Sequence, residues 1–146
     1  MKLLLLNGPN LNLLGTRQPE LYGTTSLQDL LDALRARADA RGASLRDIAT
    51  NHEGALIDFL QRHADADGAI MNPGGLAHTS VVLRDAVAAC AFPVVEVHIT
   101  NLKKREPFRR TSYLSGVAAH AVIGHGVAGY TEALDWLLDH IAPRRT

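Results

Sequence analysis

Glu96 and His98 stand two residues apart in the run Val94-Val95-Glu96-Val97-His98-Ile99. In an extended strand both point to one face, while Val95, Val97 and Ile99 point to the other. A carboxylate and an imidazole on one face of an interior strand are costly to bury unless they satisfy each other or a ligand. The acid can therefore orient the imidazole for proton transfer, with a satisfied core histidine as the alternative. His78 follows Asn72-Pro73-Gly74-Gly75 closely, where it can donate to a ligand hydroxyl or cap the helix that begins nearby. The stretch from Leu11 to Thr25 is longer than a plain connection requires, which suits a lid or binding loop. Gly15 and Gly23 bracket Thr16-Arg17-Gln18-Pro19-Glu20-Leu21-Tyr22, and Pro19 stiffens its middle. Arg17 and Tyr22 can then swing together over a neighbouring site; an exposed aromatic on a mobile loop is the alternative. In Lys103-Lys104-Arg105 and Arg109-Arg110, one or two arginines can hold a carboxylate or hydroxyls, the remaining basic residues forming a solvated face.

Other motifs carry less. Gly124-His125-Gly126-Val127-Ala128-Gly129 has the spacing of a dinucleotide fingerprint, but too little chain follows for the strand that would bring a ribose-binding acid. It reads better as a turn that lets the last helix pack closely. His52, His78 and His98 lack the spacing of zinc ligands, so no metal is expected.

The elements that must position these residues follow from the apolar pattern. Strand-length runs alternate with helical stretches, as in a parallel sheet covered on both faces. Strands are predicted at Leu3 to Leu6, Ser44 to Thr50, Ala69 to Asn72, Val94 to Ile99 and Ala121 to Gly124. Ser26 should cap a helix, with Asp29 in the place of a capping-box acid, Leu27, Leu30, Leu31 and Leu34 in one stripe, and Gly42 as its stop. Asn51-His52 can cap a second helix carrying Leu56, Ile57 and Leu60; others are expected from Ser80 to Cys90, with Cys90 buried, and from Thr131 to Ile141. Right-handed crossovers favour a doubly wound five-stranded sheet in the order 2-1-3-4-5, with ligands at the carboxyl ends of its strands. The polar clusters after strands one, three and four would then share one mouth.

Composition narrows the partners. The 146 residues are 47% hydrophobic, which predicts one domain over 1–146 with an ample core. Lys plus Arg number 15 against 15 for Asp plus Glu, so no net field draws the chain to nucleic acid or a membrane. The apolar run after Met1 is cut short by Asn7-Gly8-Pro9-Asn10, too soon for a secretory segment, and Cys90 is the only cysteine. A cytoplasmic location is expected.

Taken in order, Asn7-Gly8-Pro9-Asn10-Leu11-Asn12-Leu13-Leu14-Gly15, Arg17-Gln18-Pro19-Glu20-Leu21-Tyr22-Gly23, Asn51-His52-Glu53-Gly54, Asn72-Pro73-Gly74-Gly75, His78-Thr79-Ser80-Val81-Val82-Leu83-Arg84-Asp85, Glu96-Val97-His98-Ile99 and Phe108-Arg109-Arg110 resemble the type II 3-dehydroquinate dehydratases. The likeness covers essentially the full length. It implies a flavodoxin-like fold and the anti elimination of water from 3-dehydroquinate to 3-dehydroshikimate through an enolate, a shikimate-pathway step using no cofactor. By resemblance Tyr22 is the base, Arg17 the lid cation that activates it, His98 the acid and Asn10 the holder of a water near the enolate. Asn72, His78, Ile99, Thr100 and Arg109 match substrate-binding positions, and Asp85 a residue offered to a neighbouring subunit. The family's trimers, four to a dodecamer, are implied too, with the segment around Arg105 near a subunit boundary. Thr100 stands where serine is usual, Ala77 and Thr111 depart from threonine and histidine, and Lys103-Lys104-Arg105-Glu106-Pro107 departs from His-Ala-Arg-Glu-Glu. A chain that only binds a polyhydroxylated carboxylate is the alternative that this altered segment favours and that Arg17, Tyr22 and His98 oppose.

A free tyrosine titrates near ~10, so forming its phenolate near neutrality costs about 4 kcal/mol, and one guanidinium in a closed lid offsets much of that.

Overall fold

The computed structural model describes residues 1–141; the last five positions of the expected domain lie outside the described residues. Leu3 to Leu6 are all buried in β1 (Lys2–Asn7), because helices cover both faces of the sheet they enter. The expected lid is not plain loop: a left-handed Gln18 leads into a single helical turn, α1 (Pro19–Tyr22), with proline at its first position, where a missing N–H costs nothing. In α2 (Leu27–Ala40), Ser26 Oγ accepts from Asp29 N, and Leu30, Leu31, Leu34 and Ala38 face the core. Gly42, at φ +74°, turns the chain into β2 (Ser44–Ala49), an edge strand and accordingly more exposed.

The next helix, α3 (Glu53–Arg62), buries Leu56 and Leu60, with Ile57 partly buried. Of the expected pair, His52 stands at its N-cap without a side-chain bond, while Asn51 Oδ1 accepts from Asn10 N and ties this loop to the first strand's loop. A 3₁₀ turn, Gly74–His78, then separates β3 (Gly68–Asn72) from α4 (Val81–Ala88). That helix is shorter than expected: Ser80 is its cap, bonded by Leu83 N, and Cys90 lies beyond its end, half-buried, where desolvation pushes the thiol upward. β4 (Val94–His98) and β5 (His120–Ile123) follow, the latter ended by Gly124 at φ +84°. The last helix, α5 (Ala128–His140), starts three residues earlier than its apolar stripe suggested. Gly129 belongs to its first turn, where a Cβ would stand 3.3 Å from Val122 Cγ1, so the glycine spacing serves close packing of helix on sheet.

The strands are all parallel, in the order β2-β1-β3-β4-β5. Leu3, Leu5, Ile70, Val95 and Val97 pack against α2 and α5, while Leu4, Leu6, Met71 and Val94 pack against α3 and α4. This is the doubly wound, flavodoxin-like arrangement predicted. Among the described residues no helix is long and apolar enough to cross a membrane.

Candidate active site

The ends of β1 and β3 meet as a pair of asparagines, because Asn7 and Asn72 are in register. Both are buried and therefore need partners. Fully buried Tyr130, from α5, donates to Asn7 Oδ1 at 2.7 Å and accepts from Asn72 Nδ2 at 2.8 Å. Asn72 Oδ1 accepts from Gly74 N at 3.1 Å, which fixes the amide at both ends. The loops leaving the two strands touch so closely that a Cβ on Gly8 would lie 2.6 Å from Pro73 O. Only glycine permits that approach.

The next strand end supplies the acid-base pair. Glu96 and His98 point to the α3 and α4 side, opposite Val95, Val97 and Ile99, with His98 Nε2 2.6 Å from Glu96 Oε2. Glu96 is wholly buried and His98 is 5% exposed. A carboxylate oxygen accepts, so Nε2 carries a hydrogen and Nδ1 is left for a ligand. His78 lies in the 3₁₀ turn and caps no helix; its Nδ1 donates to Thr111 O at 2.8 Å, and its ring stacks on that of His98 with centroids 6.3 Å apart. That carbonyl contact does not depend on which side chain stands at 111, so the departure at Thr111 leaves it intact.

Over this mouth lies the lid. The Arg17 guanidinium carbon is 5.3 Å from the Tyr22 ring centroid, and that of Arg105 is 5.7 Å away. It is Arg105 that reaches the hydroxyl: its Nη1 donates to Tyr22 Oη at 2.8 Å and to Thr100 Oγ1 at 3.3 Å. Glu106 steadies the basic segment from outside, accepting from Arg109 Nε at 2.8 Å with Arg105 Nε 3.8 Å away. Bonding to backbone N–H, then to Arg109, and the charges of both arginines hold the Glu106 carboxyl below the usual carboxylate range.

Together these groups enclose a cavity of about 130 Å³. Asn10, Arg17, Tyr22, Asn72, His78, His98, Ile99, Thr100 and Arg109 all line it. Asp85 does not; it stands exposed on α4. Arg105 lines the cavity too, as one or two arginines of the basic runs were expected to, although the sequence does not single it out from its neighbours. The signal that marks it out is Leu102, whose buried side chain pins the 3₁₀ turn Leu102–Lys104 and fixes where Arg105 leaves it. Tyr130 had no comparable signal, since its bonds span 58 and 123 residues. Among the described residues no group of three or more His, Cys, Asp or Glu is placed to hold a metal ion.

The site can thus present a phenol oxygen bonded by one guanidinium, with a second over its ring, and an imidazole backed by a carboxylate, in one small polar cavity. Comparison with known proteins agrees. The family described as Dehydroquinase class II matches residues 1–138. A 3-dehydroquinate dehydratase of Roseiflexus castenholzii is 50% identical over 139 residues, spanning 94% of this chain and 88% of that protein. A catabolic 3-dehydroquinase of Aspergillus clavatus is 46% identical over 134 residues, spanning 91% and 89%. The crystal structure of type II dehydroquinase from Butyrivibrio crossotus superposes with a TM-score of 0.91 at 37% identity, covering 94% of this chain and 97% of that one. That from Propionibacterium acnes gives 0.91 at 34% identity, covering 94% and 96%.

Proposed function

The chain belongs to the class II dehydroquinase family, and from that premise we propose that its cavity eliminates water from 3-dehydroquinate with Tyr22 as base and His98 as acid. The observation that carries the assignment is the Tyr22 hydroxyl, held at 2.8 Å by Arg105 with Arg17 over the ring, in the same cavity as His98. A guanidinium bonded to the phenol oxygen, with a second over the ring, suits the phenolate, the form able to take a proton from the carbon beside the ketone. The electron pair moves onto the ketone oxygen, giving an enolate that fixed donors stabilise better than bulk water; Asn10 is assigned a water at that oxygen. As the enolate collapses, a carbon-carbon double bond forms and the carbon-oxygen bond to the departing hydroxyl breaks. The His98 imidazolium gives that hydroxyl its Nδ1 proton, so the leaving group departs as water. Tyr22 then returns its proton to solvent and His98 regains one.

Asn72, His78, Ile99, Thr100 and Arg109 are assigned to the substrate, with the backbone around Ile99 and Thr100 meeting its carboxylate. No observation favours a chain that only binds a polyhydroxylated acid. Asp85 is proposed to serve a neighbouring subunit. Val81 and Val82, 56% and 52% exposed, flank it on α4 and support an interface there. A trimer, assembled four-fold to a dodecamer, and a cytoplasmic location complete the proposal, with residues 1–146 as one catalytic domain.

The purified protein should convert 3-dehydroquinate to a conjugated enone absorbing in the ultraviolet, without added metal or nucleotide. Activity abolished by a chelator and restored by metal would refute the cofactor-free reading.

A further inference from the structure

Glu96 is wholly buried, and its two oxygens are unequally served. Oε2 lies 2.6 Å from His98 Nε2 and accepts from Ser112 Oγ at 2.5 Å, whereas Oε1 has no partner among the described residues. Ser112 Oγ itself accepts from Leu114 N at 3.2 Å. With a lone pair engaged by that amide, the hydroxyl hydrogen is free to point at the carboxylate. Ser112 is thus the one neutral donor to Glu96 among the described residues, and it comes from a segment that also holds the second imidazole. Thr111 O accepts from His78, and Tyr113 N donates to Ala77 O at 2.7 Å, which anchors the segment to the 3₁₀ turn bearing His78.

We propose that Ser112 is a positioning residue that keeps the shared proton of the Glu96–His98 pair on His98 Nε2. The proposal rests on His98 being the acid. When the pair holds both ring protons, two arrangements compete. In one, an imidazolium faces a carboxylate; in the other the Nε2 proton has crossed to Glu96, leaving a neutral imidazole with hydrogen on Nδ1 and a neutral carboxyl. Both present Nδ1–H to the cavity, yet a neutral imidazole is a far weaker acid than an imidazolium. Burial favours the neutral arrangement, because it leaves no charge to desolvate. A hydroxyl donating to the carboxylate favours the ionised one, because the bond is stronger to a charged oxygen. Once His98 has protonated the departing hydroxyl, the carboxylate loses its cationic neighbour. Ser112 is then the donor that remains beside the Nε2–H, holding the carboxylate ionised and the ring's tautomer fixed until Nδ1 is reprotonated. The titratable ring that faces His98 from the neighbouring turn is His78, whose Nδ1 is committed to the Thr111 carbonyl.

The test pairs Ser112→Ala with Ser112→Thr in the full chain, reading turnover together with the ¹⁵N resonances of His98 in the free enzyme, assigned by their loss in His98→Asn. Ser112→Ala should lower kcat on the order of tenfold to a hundredfold with KM changed little, as expected for a lost hydrogen bond to a charged group. Its Nε2 resonance should move from the position of a protonated ring nitrogen toward that of a bare one. Ser112→Thr, which keeps the hydroxyl, should restore both. Nε2 remaining protonated in a folded Ser112→Ala protein would overturn the proposal, as would a kcat loss that threonine does not rescue. A shifted Nε2 resonance with unchanged kcat would leave Ser112 its place and contradict His98 as the acid.

Discussion

Tyr22 and the two arginines around it make separable contributions. Tyr22→Phe keeps the ring and removes the oxygen, so kcat should fall by about 10²–10⁴-fold, the range for a lost acid-base group, while KM changes little. Arg105→Lys should recover little of the loss caused by Arg105→Ala. A compact ammonium cannot reproduce the planar guanidinium that lies 5.7 Å from the Tyr22 ring centroid while its Nη1 bonds Tyr22 Oη and Thr100 Oγ1. Full turnover by Arg105→Lys, measured at saturating substrate, would reduce its role to charge alone. None of Lys2, Lys103 and Lys104 lines the cavity, so borohydride added with substrate should leave the enzyme active and carry no adduct into its mass spectrum.

Among the elements, α5 connects packing to the site through one side chain. Tyr130→Phe would leave Asn7 Oδ1 and Asn72 Nδ2 buried without their partner, where Asn7 Nδ2 already has none among the described residues. A stability loss of about 1–3 kcal/mol is expected from urea unfolding, together with a raised KM because Asn72 lines the cavity. Burial raises the titration of the Tyr130 hydroxyl far above the ordinary tyrosine range, so this effect should not vary between pH 6 and pH 9. The strands and long helices were legible from apolar periodicity because each buries a continuous face. The ends of elements were less so. The glycine-rich turn before α5 was legible as a device for close packing, but not that Gly129 already belongs to the first turn of α5, and α1 is too short to show a period. Glu96 and His98 were legible as a pair because a strand's two-residue alternation fixes their common face. Ser112 was hidden, and Arg105 stood undistinguished among its basic neighbours, because loop residues outside strands and helices follow no such rule and their partners lie 16 and 83 residues away.

For the whole molecule, the order 2-1-3-4-5 was legible because crossover handedness leaves few alternatives, and the polar loops converge because parallel strands end at one edge. Surface charge closes the α2 and α5 side: Arg37 grips Asp135 through two bonds of 2.7 Å. Arg37, through hydrogen bonding first and charge second, holds the Asp135 carboxyl below its usual range. Between the folded and unfolded titrations the unfolded chain binds more protons, so this contribution is present above about pH 4 and lost as pH falls through the folded value. Asp135→Asn should therefore destabilise modestly at neutral pH, by less than about 1 kcal/mol given its partial exposure, and the difference should shrink as the pH falls below about 4. Thermal unfolding across that range checks the sign. Assembly is tested by sedimentation, where a large symmetric particle is expected and a fully active monomer would remove Asp85 and the α4 face from the account.

In the proposed reaction Tyr22 takes the proton before His98 releases the hydroxyl. Its most direct measurement follows solvent deuterium entering the carbon beside the ketone of 3-dehydroquinate, alongside enone formation, in the parent enzyme and in His98→Ala. His98→Ala should still exchange the proton while forming little product, and Tyr22→Phe should do neither. Enone formed by His98→Ala at the parent rate, or exchange lost in step with elimination, would contradict that order.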